Sequence, residues 1–254
     1  MRRRFIADTW TSTTATLTGD QAAHLARVLR AESGQIYDIV AGGFLHRAEI
    51  TSASESQVAF LLHEELQADA ALPLHLLLAI FKFDHLEWAI EKATELGIAR
   101  ITPVLARRTE KHLAQAAAKR VERWRRIALE ASKQSRRTDI PEIPDPLALK
   151  LALERETATT RILLSETEQQ TSLTAALLHA ADAQSLGITH ALAIGPEGGW
   201  TPEEMALFTT HQWRHVTLGP RILRAETAAI AAIAIAGTYL NPQPDKNHGT
   251  IGDK

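Results

Sequence analysis

Two short segments of the 254-residue chain combine glycine, proline and ionisable side chains in a way that could serve a ligand. The first is Gly195-Pro196-Glu197-Gly198-Gly199-Trp200, and the second is Gly219-Pro220-Arg221-Ile222-Leu223-Arg224. Glycines let a backbone come close to a ligand, and prolines fix the shape of the loop that does so. Neither segment has the GxGxxG or GxxxxGK[ST] spacing of a phosphate cradle. Taken alone, each reads more readily as a glycine-rich turn than as a site. Each, however, follows a run of strand length, 191–194 and 215–218, and open parallel sheets bind ligands beyond the carboxyl ends of their strands. Two such loops at neighbouring strand ends point to one site. Other chemistries are excluded. The chain has no cysteine, so thiol nucleophiles, disulfides, iron–sulfur clusters and cysteine zinc sites are out. His211 and His215 span a predicted change from helix to strand, which spoils them as a metal pair, and no metal is expected. Ser165 precedes Glu166 without a GxSxG elbow, so a serine hydrolase is not indicated.

The elements that would position these loops form an alternating series. Residues 74–80, LHLLLAI, are continuously apolar, as expected for a strand covered on both faces. Asp84 and Glu87 have the spacing of a capping box, with Leu86, Ile90, Ala93 and Leu96 at helical intervals and Gly97 as the stop. A second strand over 101–105 contains Pro103, which argues for an edge or an irregular end. A long helix over 113–134 precedes an extended linker marked by Pro141, Pro144 and Pro146. Residues 161–164, 191–194 and 215–218 supply three more strands. Thr201-Pro202-Glu203-Glu204 opens a helix, and the last helix, 226–239, is apolar nearly all round and must be buried. Five strands alternating with helices predict an α/β domain with a mostly parallel sheet. Upstream, residues 35–40 and 44–50 flank Gly42-Gly43 as a hairpin, 57–62 is a third strand, and a short helical stretch lies between Gly19 and Arg30. The expected division is a small β-barrel-like domain over 1–70, the α/β domain over 71–240 and a loose tail over 241–254.

Charge is unevenly spread. Residues 1–70 carry 6 basic and 9 acidic side chains, 82–137 carry 14 and 7, and 138–254 carry 8 and 14. Between Arg107 and Arg137 there are 11 Lys and Arg against Glu110, Glu122 and Glu130. Such a stripe is either the footprint of a polyanion partner or a solvated helix face. The N-terminus has no apolar stretch after its basic start, and the longest apolar run, 228–236, is far below the ~20 residues of a membrane helix. A cytoplasmic protein with no membrane association is expected.

The order of these segments resembles a known family. Gly195-Pro196-Glu197-Gly198-Gly199 followed by Leu218-Gly219-Pro220-Arg221-Ile222-Leu223-Arg224-Ala225-Glu226-Thr227-Ala228 is similar to the C-terminal signature of the RsmE family, bacterial 16S rRNA uracil-N3 methyltransferases of the SPOUT superfamily. Glu91-Lys92-Ala93-Thr94-Glu95-Leu96-Gly97 with Ile101-Thr102-Pro103, Glu130-Ala131-Ser132-Lys133-Gln134-Ser135-Arg136, and His24-Leu25-Ala26-Arg27-Val28-Leu29-Arg30 fit the family's other motifs in order. Ala225 and Arg136 stand where the resemblance calls for Thr and Gly. The resemblance implies a PUA-like N-terminal β-barrel for RNA contact and a SPOUT domain binding S-adenosylmethionine (SAM) in a deep trefoil knot. It also implies a homodimer. Unaided, the residues predict an unknotted sheet.

The resemblance further implies which residues do the work. Leu164, Ile194, Gly195, Pro196, Glu197, Gly198, Gly199, Leu218, Gly219, Ile222, Leu223 and Thr227 are expected around SAM. Arg221 and Arg224 are expected to stabilise charge on the uracil oxygens as N3 loses its proton, with Glu226 or Glu197 as base or as the group that orients an arginine. The bland alternatives are a phosphate clamp for Arg221 and a helix-start anion for Glu226. Arg2, Arg3, Arg27, Arg30, Arg107, Arg108 and Lys111 are the expected contacts to 16S rRNA in the small ribosomal subunit. Rival functions are another SPOUT RNA methyltransferase and a non-catalytic RNA-binding assembly factor. Residues 228–233 of the last helix either join two subunits or pack under the sheet.

Overall fold

The computed structural model describes residues 4–67, 70–181 and 189–240. Arg2, Arg3 and the expected tail over 241–254 lie outside the described residues. The chain divides into two units, Met1–Ala71 with Ala128–Ile140, and Leu72–Ile127 with Pro141–Lys254. The segment 128–140 thus belongs with the N-terminal residues and not with the expected 71–240 domain.

The first unit is a six-stranded curled sheet. Its elements are β1 (Arg4–Ile6), β2 (Thr9–Trp10), β3 (Thr14–Thr18), α1 (Gly19–Ala23) running into a π-helical turn (His24–Val28), β4 (Ile36–Ala41), β5 (Phe44–Ala53) and β6 (Gln57–Leu66). The strand order is β1-β4-β5-β6-β3-β2. Strands β1 and β2 are at opposite edges, yet only Ala7 and Asp8 separate them in the chain. The sheet must therefore curl until its edges meet. Two hydrogen bonds seal the seam, Ala7 N–H to Val40 O at 2.8 Å and Asp8 N–H to Thr16 O at 2.9 Å. The expected hairpin forms with Ala41 opposite Phe44, and Gly42 and Gly43 take φ of +62° and +89°, as a primed two-residue turn requires. Leu17, Leu25, Ile39, Ile50, Val58 and Phe60 fill the interior. The short strands β1 to β3 have no distinctive sequence pattern and were not expected individually.

The segment 128–140 ends the long helix in a Schellman turn. Arg137 N–H donates to Ser132 O at 3.0 Å, and Arg136 N–H to Lys133 O at 3.3 Å. The residue at the left-handed position is Arg136, with φ +61°. Glycine occupies that region freely, whereas a side chain there costs on the order of 1–2 kcal/mol. A guanidinium nitrogen of Arg4 donates to the Arg136 carbonyl.

The second unit is a parallel sheet between helices. It contains β7 (Leu72–Ala79), α2 (Phe83–Glu95), β8 (Ile98–Leu105), α3 (Lys111–Ser135, shared with the first unit), β9 (Leu147–Ala148), α4 (Leu149–Arg155), β10 (Thr160–Leu164), α5 (Leu173–Ala181), β11 (His190–Ile194), α6 (Pro202–Thr210), β12 (Arg214–Val216) and α7 (Ala225–Leu240). The order β12-β10-β11-β7-β8-β9 is parallel throughout. Every residue of β11 is buried, as the apolar run 191–194 demands, and burial of His190 at its start lowers that imidazole's pKa. Leu77, Leu163, Ala191 and Ala193 pack on α4 and α6 through Leu149, Leu153 and Phe208, so the alternate residues face the other layer. There α7 packs on α2, α5, β7 and β11. Of the apolar residues considered for a subunit contact, Ala229, Ala232 and Ile233 are buried within the chain, and Ala228 and Ile230 are half-buried.

Three local expectations need correction. Asp84 does not cap α2; Lys82 occupies that position without a side-chain bond, and Asp84 falls in the first turn, where a carboxylate still suits the helix dipole. The fifth strand is Arg214–Val216, because Thr217 turns away to bond Gly219. Helices α4 and α5 are short and were missed, although Ser172 caps α5 by accepting from Ala175 N–H at 3.1 Å. Pro103 is inside β8, but its outer neighbour β9 is only two residues long, so the strand is nearly an edge. Among the described residues no helix is long and apolar enough to cross a membrane.

Candidate active site

Strands β10, β11 and β12 are adjacent and parallel, so their carboxyl ends, at Leu164, Ile194 and Val216, open on the same side. The three loops that leave them enclose a cleft of about 540 Å³, within the usual range for small-molecule sites.

The 195–200 loop is braced from several directions. Gly199 N–H donates to Pro196 O at 2.8 Å, and Gly199 has φ +67°. A Cβ on Gly195 would come within 3.0 Å of Trp200 Nε1, so only glycine lets the indole lie against the strand end. Trp200 packs edge-on against Phe208, with ring centroids 5.0 Å apart. The chain then enters α6 through the expected capping box. Glu204 N–H donates to Thr201 Oγ1 at 3.3 Å, and Thr201 N–H to Glu204 Oε2 at 2.8 Å. The other oxygen of buried Glu204 accepts from Arg107 N–H at 2.8 Å, tying the loop after β8 to this corner. Arg108 donates to Gly198 O at 2.6 Å and itself lines the cleft. Glu203, on the exposed side of α6, has its carboxyl held below the ordinary range by its own backbone N–H and the Thr201 hydroxyl, with help from the charges of Arg107 and Arg108.

The 217–224 segment is built differently. Thr217 Oγ1 lies 3.1 Å from both the N and the O of Gly219, which takes φ +116°. Arg221, Ile222 and Arg224 are exposed, Ile222 to 84%, before Ala228 N–H to Arg224 O at 2.8 Å starts α7.

The cleft gathers most of the residues expected there. Leu164, Ile194, Gly195, Pro196, Glu197 and Gly199 line one part, and Leu218, Gly219, Ile222 and Leu223 another, with Arg221 and Arg224 beside them. Gly198, Thr227 and Glu226 are not on the lining. Gly198 faces the Arg108 stem, and Thr227 is exposed on α7. Glu226 is buried, its Oε1 3.0 Å from His85 Nδ1 on α2. That pairing joins residues far apart in sequence and left no trace in either segment alone. The sequence reading missed Glu166, Trp200, Met205 and Thr217 as lining groups. Glu166 follows β10 as the glycine loops follow β11 and β12, and that position was the available signal.

The basic residues separate into classes. Arg27 is paired with Glu55, while Arg30, Arg107 and Lys111 are exposed. On α3, Arg120 and Arg123 both meet Glu87, and Arg125 meets Glu122 and Asp145. Part of the stripe is thus neutralised within the chain. His211 ends α6 and His215 lies in β12, and among the described residues no cluster suited to a metal ion occurs.

Residues 68–237 match the RNA methyltransferase domain family. The chain is 34% identical over 223 residues to a ribosomal RNA small subunit methyltransferase E of Synechocystis, covering 87% of this chain and 72% of that one. It is also 34% identical over 229 residues to the Bacillus subtilis protein of the same name, covering 87% and 88%. The crystal structure of a ribosomal RNA small subunit methyltransferase E from Neisseria gonorrhoeae bound to S-adenosyl methionine superposes with a TM-score of 0.76 at 28% identity, over 94% of this chain and 98% of that one. The chain, with the strand-end cleft on which its two glycine loops converge, belongs to the ribosomal RNA small subunit methyltransferase E family of RNA methyltransferases.

Proposed function

We propose that this protein transfers a methyl group from SAM to N3 of a specific uridine in 16S rRNA. The observation that carries the reading is the convergence of both glycine loops on one cleft, with Arg221 and Arg224 at its exposed side. The cleft suits SAM in size and character. Leu164, Ile194, Leu218 and Leu223 offer apolar walls for an adenine, and loop backbone groups offer partners for its polar edge. Trp200 Nε1 is buried and has no hydrogen-bond partner among the described residues. Glu166 and Glu197 offer carboxylates to a cationic ligand. When bound, SAM supplies an electrophilic methyl group.

The chain's own task is then to orient the uracil, remove water and handle one proton. Uracil N3 carries a hydrogen, so charge grows on the flanking ring oxygens as that proton departs. Arg224 and Arg221 place permanent cations where that charge develops. Glu197, exposed on the cleft, is the carboxylate placed to accept the N3 proton. Glu226, held by His85, is a positioning residue that fixes the first turn of α7 directly after Arg224. Arg108 divides its role: it braces Gly198 and presents positive charge at the cleft.

The same reading carries a PUA-like first unit, a trefoil-knotted second unit, a homodimer and a cytoplasmic setting with the small ribosomal subunit as substrate. The exposed Trp88 is apolar surface that a second copy would cover. The test is methyl transfer from labelled SAM to small subunits lacking the modification, followed by nucleoside mass spectrometry. The expected product is 3-methyluridine. A different methylated nucleoside would overturn the base specificity, and failure both to bind SAM and to transfer methyl would leave the assembly-factor reading. A light-scattering mass of one 27.9 kDa chain would remove the dimer.

A further inference from the structure

The first unit holds a second concavity, of about 290 Å³, away from the loops described above in sequence and composition. It is lined by Arg4 and Phe5 of β1, His24 and Val28 of the π-helical turn, and Lys133 and Arg136 at the end of α3. Three of these carry permanent positive charge, and no carboxylate is among the described residues of the lining. Lys133 and Arg136 come from the basic stripe between Arg107 and Arg137, and the fold joins to them Arg4 and His24 from residues 1–70, which hold 6 basic and 9 acidic side chains. The fold has sorted cations into one hollow.

Two further features of the hollow bear on what it holds. Arg136 occupies the left-handed position of a Schellman turn, where glycine would sit without strain. Strain kept at a position whose side chain lines a cavity is an indication of function. Arg4 donates to the Arg136 carbonyl and so fixes the turn against β1. Beside the cations lies apolar surface, with Val28 exposed to 66% and Phe5 steadied edge-on by Tyr37 at 6.0 Å. A bare anion needs no such floor, whereas a nucleotide places its phosphate among cations and its base or ribose on apolar or aromatic surface.

We propose that this pocket seats one nucleotide of a single-stranded segment of the substrate RNA, with its phosphate among Arg4, Lys133 and Arg136. The proposal rests on the RNA-methylating function above and deepens it. None of these four basic side chains is among the RNA contacts that the sequence suggested. Lys133 donates to Glu130 Oε1 at 3.0 Å, which uses one of its three N–H groups and leaves the others to an incoming phosphate.

The experiment measures binding of the full chain to a short fluorescein-labelled oligouridylate, by anisotropy across a salt series, for the natural protein, Arg136→Gly and Lys133→Gln. Arg136→Gly removes the cation yet suits the backbone, so its thermal midpoint should equal or exceed that of the natural protein. Its affinity should fall about tenfold, the scale of one charge-assisted contact. The slope of log K against log salt should lessen by about 0.7. Lys133→Gln should act in the same direction. Unchanged affinity and slope in both variants would overturn the pocket. Displacement of the oligomer by inorganic phosphate at matched ionic strength would also overturn it, leaving a free-anion site. Methyl transfer to small subunits is followed in parallel. Transfer by the natural protein with unaltered RNA binding in the variants sinks the pocket alone. Absence of transfer with weakened binding in the variants sinks the function and sustains the pocket.

Discussion

The two glycine loops of the cleft face each other but are built on opposite principles. The 195–200 loop is fastened at nearly every residue: by its own turn, by Arg108 on Gly198, by Trp200 on Phe208 and by the Thr201–Glu204 box. The 219–224 loop is held at its ends, by Thr217 at Gly219 and by the first bond of α7, while Arg221, Ile222 and Arg224 face solvent. One wall is shaped before any ligand arrives. The other carries Arg221 and Arg224 on chain that a ligand can still order. The braced wall and the two arginines of the cleft thereby belong to different loops, and substitutions should separate them.

The sharpest break of that contrast is Trp200→Ala. It removes the indole that packs on Phe208 and presses on Gly195, and should cost about 3 kcal/mol of stability, read in denaturant, together with most SAM affinity. A stable variant with intact affinity would mean that the first loop is not preformed by packing. Next is Arg224→Ala, which should lower turnover about 100-fold while the thermal midpoint and SAM affinity hold. Equal loss of affinity and turnover would make Arg224 part of the binding wall and erase the division. The smallest effect is expected from Ile222→Ser, within about 0.5 kcal/mol of the natural stability, because a side chain exposed to 84% has little packing to lose. A larger loss would show that this loop is packed after all.

Features governed by neighbours in sequence were legible in advance. The Thr201–Glu204 box, the Gly42-Gly43 hairpin and the buried run of β7 each follow from local rules, and each formed. Features that depend on distant pairing were not. Nothing around Glu226 announces His85, 141 residues earlier, so a carboxylate expected in the chemistry is found bonded in the interior. Arg108 reads as one more member of a basic stripe, yet its guanidinium belongs to the 195–200 loop, 90 residues on. The hollow lined by Arg4, His24, Lys133 and Arg136 draws on three separated segments, and nothing local joins the first two to the end of the basic stripe. Charge counts describe a segment; only folding decides which charges meet.

The membership of residues 128–140 in the first unit also bears on how the protein is made. A chain emerges from the ribosome in order, and the strands up to residue 66 are available well before the turn that Arg4 must clasp. At about 5–20 residues per second, the wait between residue 71 and residue 140 lasts roughly 3–14 s. The first unit therefore cannot finish folding while it is the only part of the chain outside the tunnel. A growing chain passes through β7, α2, β8 and α3 before its first unit is complete, so the second unit has begun to form before the first is finished.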